Sequence, residues 1–163
     1  MVDERHRIPV DPEYAQALGR AAYCFAYCEW AAVWCAERLQ DGYIGTIEEE
    51  KKTAGRIARE LQCRANEANE AALRKELAEA ADRFKNLTDE RNDLFHAKPC
   101  TAEDGAQRLS GRTGKWTPED IRDFANRVAL CAITLNGILH ERLGCSRQGH
   151  DRRDGASPSG LSS

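Results

Sequence analysis

Residues 12 to 40 carry apolar side chains on two sides of a single helical period. Leu18, Ala21, Phe25, Ala32, Ala36 and Leu39 fall along one face. Tyr23, Tyr27, Trp30 and Trp34, spaced i, i+4, i+7 and i+11, fall roughly opposite. A surface helix needs only one apolar face. This segment is therefore either central in its own bundle, or packs its bundle with one face and a second copy of the chain with the other. Only four helical segments are readable in the 163 residues, and aromatic side chains favour interface cores, so a homodimer is the expectation.

The helical segments are marked by their ends. The first opens at "DPE", with Asp11 as N-cap, Pro12 in the first turn and Glu13 behind it, and stops at Gly42. The second opens at "TIEE", where Thr46 and Glu49 have capping-box spacing, carries Ile47, Ala54, Ile57, Ala58 and Leu61 on one face, and ends between Cys63 and Asn66. The third runs from about Glu67 to Ala97, where Pro99 stops it. The fourth opens at "TPED" with Thr117 as cap and shows Ile121, Phe124, Ala125, Val128, Ala132, Leu135 and Leu139 on one face. Between the last two lies a connection long enough to suggest a function, in which "QRLSGRTGKWT" reads as two short arms around a Gly-rich turn. The pattern predicts an all-α fold, a four- to five-helix antiparallel bundle over 1–143 with a small hairpin insertion (99–116) before the last helix. A polar Ser/Gly-rich tail, 144–163, is expected to be disordered.

The opening "MVDERHRIPVDPEY" is too polar for a signal peptide, and no apolar run approaches the roughly 18 residues of a membrane span. The seven cysteines are odd in number, and Cys24, Cys28, Cys35 and Cys131 sit at helix-facing positions. They read as small buried hydrophobes rather than as a disulfide framework or a metal site. A reduced, cytoplasmic protein with no cofactor and no membrane association is expected.

"TDERNDLFHAKP", residues 88–99, breaks the pattern. Leu73, Leu77, Ala80, Phe84, Leu87, Leu94 and Phe95 form one face of the third helix, and Arg91 sits in its middle. A guanidinium there needs a buried acid or a wet cleft, and Glu29, near the core face of the first helix, is the candidate structural partner. Asn92 and His96 are i, i+4 and share the adjoining flank. A fixed cation that binds phosphate, an amide and an imidazole that titrates near neutrality thus meet close to a helix end. Residues 83 to 115 hold seven basic side chains against five acids in a chain of net charge −3. Among them Lys98, Arg108, Arg112 and Lys115, with Trp116, suit a phosphate backbone and a stacked base.

"RNDLFH", Arg91 to His96, resembles the R-x4-H motif of the HEPN superfamily, with the favoured Asn in second place, and the helical layout over residues 12 to 143 is similar to that family's. The resemblance implies a metal-independent endoribonuclease acting as a dimer, with Arg91, Asn92 and His96 as catalytic residues. It also implies a toxin or phage-defence setting, in which an antitoxin-type protein is a further partner. It leaves open a non-catalytic HEPN-like dimer that binds a nucleotide or such a protein. An unrelated dimeric bundle, with Arg91 in a structural ion pair, stays open as well.

Overall fold

The computed structural model describes residues 9–144. They form an all-α bundle with a small three-stranded sheet inserted before the last helix: α1 (Pro12–Leu39), α2 (Gly45–Glu49), α3 (Ala54–Glu67), α4 (Ala71–Phe95), β1 (Lys98–Thr101), β2 (Gln107–Ser110), β3 (Lys115–Trp116) and α5 (Pro118–Gly137), which continues as a wider π-helical turn over Ile138–Leu143. The expected tail beyond Gly144 lies outside these residues, as does Cys145. No helix among the described residues is long and apolar enough to cross a membrane.

The proline-led helix starts form as their sequences dictate. The Asp11 side chain accepts from the Tyr14 main-chain N–H at 2.7 Å, and Thr117 and Asp120 make a reciprocal capping box ahead of α5. The second segment differs from its expectation. Thr46 does not cap a long helix; its hydroxyl donates to the Tyr43 carbonyl at 2.6 Å, and α2 ends after one turn. The cap of α3 is Thr53, which accepts from the Arg56 N–H. What bends the chain there is burial: Tyr43 is fully buried, its hydroxyl donates to Glu60 at 2.7 Å, and Lys52 lies over its ring and donates to the same carboxylate at 2.8 Å. α3 runs through Glu67, and the turn into α4 is held by Arg74, whose Nε donates to the Ala68 carbonyl at 2.9 Å.

α1 packs most extensively on α5, and α3 on α4. Glu13 and Tyr14 at the start of α1 meet Arg122 and Trp116 at and just before the start of α5, and Tyr27 and Cys35 further along meet Asn136 and Leu135 near its end, so this pair runs side by side in the same direction, unlike the antiparallel packing expected. α4 runs against both: its Phe84 stacks on Phe25 of α1, and its Glu90 takes a bidentate pair from Arg127 of α5 at 2.7 Å on each arm. The core between them contains Phe25, Ile57, Leu61, Leu77, Phe84, Leu94, Ile121, Phe124, Val128 and Leu135. Cys28, Cys35 and Cys131 are buried in it as free thiols, the packing role expected of them. Cys63, by contrast, is exposed.

The sheet caps the bundle at the end where α1 begins and α4 stops. It is antiparallel in the order β1-β2-β3, one strand more than the hairpin read from sequence. Pro99 not only ends α4 but sits in β1, paired with Leu109. Three long-range bonds seat the sheet. The Tyr14 hydroxyl donates to the Trp116 carbonyl and accepts from the Leu109 N–H, both at 3.0 Å. Arg108 reaches Asp11 at 2.8 Å and lies over the Tyr14 ring.

Candidate functional site

The last two turns of α4 present different residues on two flanks. Asp89, Asn92, Asp93 and His96 face the sheet. Together with Lys98 and with Ser110, Gly111 and Arg112 at the sheet's turn, they line a cleft of about 580 Å³. Arg91 and Phe95 lie around the helix from it and line a separate pocket of about 130 Å³ with Ala22, Phe25, Ala26 and Glu29 of α1. The small side chains of Ala22 and Ala26 leave this second pocket open.

Arg91 is half-buried and lines this open pocket, the second of the two settings that its place in the apolar face allows. Its guanidinium stands over the rings of Phe25 and Phe95, 5.2 and 5.7 Å from their centroids, and one terminal nitrogen donates to Asn92 Oδ1 at 3.0 Å. Aromatic faces and a neighbouring amide thus satisfy the charge in place of a carboxylate. Phe95, read as a core residue, is 40% exposed beside it. The buried polar residue of this helix is Thr88, whose hydroxyl donates back to the Phe84 carbonyl. Glu29 forms no ion pair with Arg91, which corrects the expected structural partnership. It faces the guanidinium across the small pocket; burial pushes its carboxyl above the ordinary value, and the charge of Arg91 only partly opposes this.

The arrangement of catalytic candidates follows. Asn92 bridges the two flanks: its Oδ1 is held by Arg91 while its side chain lines the cleft, so the amide N–H groups remain as donors. His96 ends α4; its main-chain N–H still bonds to the Asn92 carbonyl at 3.1 Å, and its side chain is exposed at the cleft. Arg91 and His96 do not share a pocket within one chain.

The five residues read as RNA contacts also separate. Lys98 and Arg112 line the cleft. Arg108 is engaged by Asp11 and Tyr14 and is 14% exposed. The Trp116 indole donates to Asp93 at 3.3 Å and its half-buried ring meets Phe124 edge-on, which commits it to holding the sheet. Lys115 is exposed in a shallow depression shared with Glu103 and Asp104. Trp116 and Arg108 thus hold the sheet in place: Arg108 ties it to α1, and Trp116 ties it to the end of α4 and to α5.

The residue that sequence reading passed over is Asp93, counted only as one acid among five. Its carboxylate is 7% exposed and accepts from the Arg112 main-chain N–H at 2.8 Å, Arg112 Nε at 3.0 Å and the Trp116 indole. The Arg112 main-chain bond, with help from the side chains, holds its pKa below the usual carboxylate range. Gly111 fits because it has no side chain: a Cβ there would collide with the Asp93 carboxylate and the Trp116 indole. Nothing local in the sequence marks this contact, which joins residues 19 positions apart.

A second exposed feature is apolar. Tyr23, Tyr27, Trp30 and Trp34 on α1 are 74, 51, 50 and 46% exposed, and Leu130 and Ile133 on α5 are 60 and 67% exposed. Asn136, three residues past Ile133, donates to the Tyr27 hydroxyl at 3.1 Å, which brings the two groups to neighbouring surface. The second face of α1 is therefore not covered by its own bundle. Among the described residues, no three His, Cys, Asp or Glu side chains group as a metal site would. Compared with protein-family models, curated proteins and solved structures, the chain matches none.

Proposed function

We propose that this chain is a HEPN-type endoribonuclease that acts without a metal, as a homodimer, on single-stranded RNA. One observation carries the reading: Asn92 and His96 of the R-x4-H motif open together onto the cleft of about 580 Å³, whose remaining cations are Lys98 and Arg112. RNA brings its own nucleophile. The 2′-oxygen attacks the adjacent phosphorus, the bond to the 5′-oxygen breaks, and the products are a 2′,3′-cyclic phosphate and a 5′-hydroxyl. One imidazole accepts the 2′-OH proton and a second, protonated, gives a proton to the leaving oxygen. Two His96 side chains, one per protomer, supply the pair. The Asn92 amide donates to a phosphate oxygen, and Arg91, on the far flank of its own chain, supports the charge developing on the phosphorane through the Asn92 amide it holds. The uncovered aromatic face of α1 is the proposed dimer surface. Cleavage of this kind suits a toxin or phage-defence effector, active in the cytoplasm and restrained there by an antitoxin-type protein.

The separation of Arg91 from His96 favours a second reading in one respect: within a single chain the motif is split, as in a module that binds a nucleotide or a protein partner without cleaving. One experiment decides. Mixed RNA is incubated with the purified protein in EDTA, beside His96→Ala. Cleavage by the native chain alone, leaving cyclic phosphate ends, supports the ribonuclease. Equal rates in both remove it. Dependence on added divalent metal removes the mechanism. Nucleotide binding without cleavage installs the second reading.

A further inference from the structure

The cleft has two walls from different elements, and one buried side chain ties them together. The α4 wall carries Asn92 and His96; the sheet wall carries Gly111 and Arg112; Asp93 joins them by three hydrogen bonds. Arg112 has an unusual division of labour. Its main-chain N–H and its Nε both point at Asp93 Oδ1, yet its side chain is 79% exposed. A guanidinium has five donors in a rigid plane, so fixing Nε fixes the direction of the terminal nitrogens while leaving them unengaged by Asp93. Lys98 stands on the same cleft. Asp89, the other acid there, is paired with Lys85 at 3.1 Å.

We propose that Asp93 is a positioning residue that clamps the sheet's turn to α4 and aims the terminal nitrogens of Arg112, beside Lys98, at an RNA backbone phosphate flanking the scissile one. This rests on the ribonuclease reading for the identity of the polyanion, but its geometry is independent of His96. It makes a counter-intuitive statement about charge. Removing a negative charge from a polyanion site ordinarily strengthens binding. Here Asp93→Asn weakens it, because the neutral amide loses the charge that strengthens both Arg112 bonds at Oδ1 and turns an N–H₂ toward the Trp116 indole N–H, which Oδ2 of the carboxylate accepts.

The test is the affinity of a fluorescent single-stranded oligoribonucleotide, measured by anisotropy over a series of salt concentrations. To keep cleavage from interfering, it is read on the His96→Ala background, with Asp93→Asn, Arg112→Ala and Arg112→Lys added singly and Asp93→Asn combined with Arg112→Ala. Each single change is expected to weaken binding about tenfold, the usual consequence of losing a charge-assisted hydrogen bond. Each should also flatten the dependence of log K on log salt by about 0.7, the release expected for one phosphate contact on a single strand. The double variant should bind no more weakly than Arg112→Ala. Arg112→Lys keeps the charge and the main-chain bond to Asp93, so it reads aim rather than folding even if Asp93→Asn loosens the sheet. Binding by Asp93→Asn as tight as or tighter than its parent overturns the proposal, and so does full binding by Arg112→Lys. Loss of cleavage activity in the native chain with this binding pattern intact would overturn the ribonuclease alone. Cleavage by the native chain with no dependence of binding on Arg112 would overturn the subsite alone.

Discussion

At the scale of single residues, Arg91 and Glu29 show how a charge in a core pattern is accommodated. Three turns of helix around Arg91 obey the apolar period, so an isolated reading places it in the interior beside a carboxylate. In the structure Leu94, beyond Arg91, is still fully buried, but Arg91 lies on the flank facing α1, where Ala22 and Ala26 are too small to close the gap. The guanidinium lies on Phe25 and Phe95 and holds Asn92. Glu29 therefore does not need Arg91 to keep its fold, and its raised carboxyl pKa means that its charged form is disfavoured by folding. The sign follows: a carboxyl raised in the folded state costs stability as pH climbs above its unfolded value. Glu29→Gln is predicted to leave the melting temperature at pH 7 unchanged or higher. Arg91→Ala should cost on the order of 1 kcal/mol, as for a cation–π contact of partial exposure, rather than the several of a broken buried ion pair. Thermal melts of the two variants check both; a large loss in Glu29→Gln would restore the ion pair.

At the scale of elements, what was legible follows from whether the cause was local. Pro12 and Pro118 with their caps mark helix starts because every determinant lies within four residues, and both helices begin where those signals stand. The α2–α3 break was not legible: Thr46 and Glu49 have the right spacing, but the fold places a buried Tyr43 and the Lys52–Glu60 contact there, and those are set by α3. β1 was missed because "KPCT" has no alternation and a proline, and becomes a strand only by pairing with β2. The site divided in the same way. The i, i+4 relation of Asn92 and His96 put them on one cleft as read, whereas the fates of Arg108, Trp116 and Asp93 depend on partners 19 to 97 positions away. The sheet's seat gives a prediction. Arg108→Ala removes the Asp11 pair and the Tyr14 contact together and should lower stability by about 1–3 kcal/mol, typical for a hydrogen bond to a charged group. Amide hydrogen exchange is expected to rise across β2 and β3 while α3 stays protected; unchanged exchange would show that Tyr14 alone suffices.

At the scale of the whole molecule, one face remains to be explained by what surrounds the chain. The aromatic surface of α1 with Leu130 and Ile133 puts six large apolar side chains on the exterior. Replacing Trp30 and Trp34 together by Glu is predicted to leave helix content intact and to convert a dimer to a monomer by light scattering at tens of micromolar, an estimate of the range where a modest interface populates. A native chain that scatters as a monomer there would remove the shared-cleft mechanism. The Tyr43–Glu60–Lys52–Arg56 cluster sets the acid limit. Glu60 accepts from Lys52, Tyr43 and Arg56, and its pKa falls from 4.5 to about 2. A lowered carboxyl contributes stability that is complete above the unfolded value and is lost as pH falls through the folded one. The native chain should therefore lose stability between pH 4.5 and about 2, and Glu60→Gln, less stable at neutrality, should lose less over that interval. Denaturant titrations at a series of pH values read the difference; parallel curves would mean that other carboxylates set the limit.

Every residue lining the large cleft falls between positions 89 and 112. The walls of the site are thus one uninterrupted stretch of chain, folded back on itself and fastened to the bundle from behind by Tyr14 and Asp11. Such a cassette can be rewritten at the side chains that face the cleft without disturbing the bundle that carries it, as long as Gly111 and the Asp93–Arg112 contact that close it are kept. A change of target would then require alterations in a single short segment of the gene, and the same bundle would serve as a chassis for many different clefts.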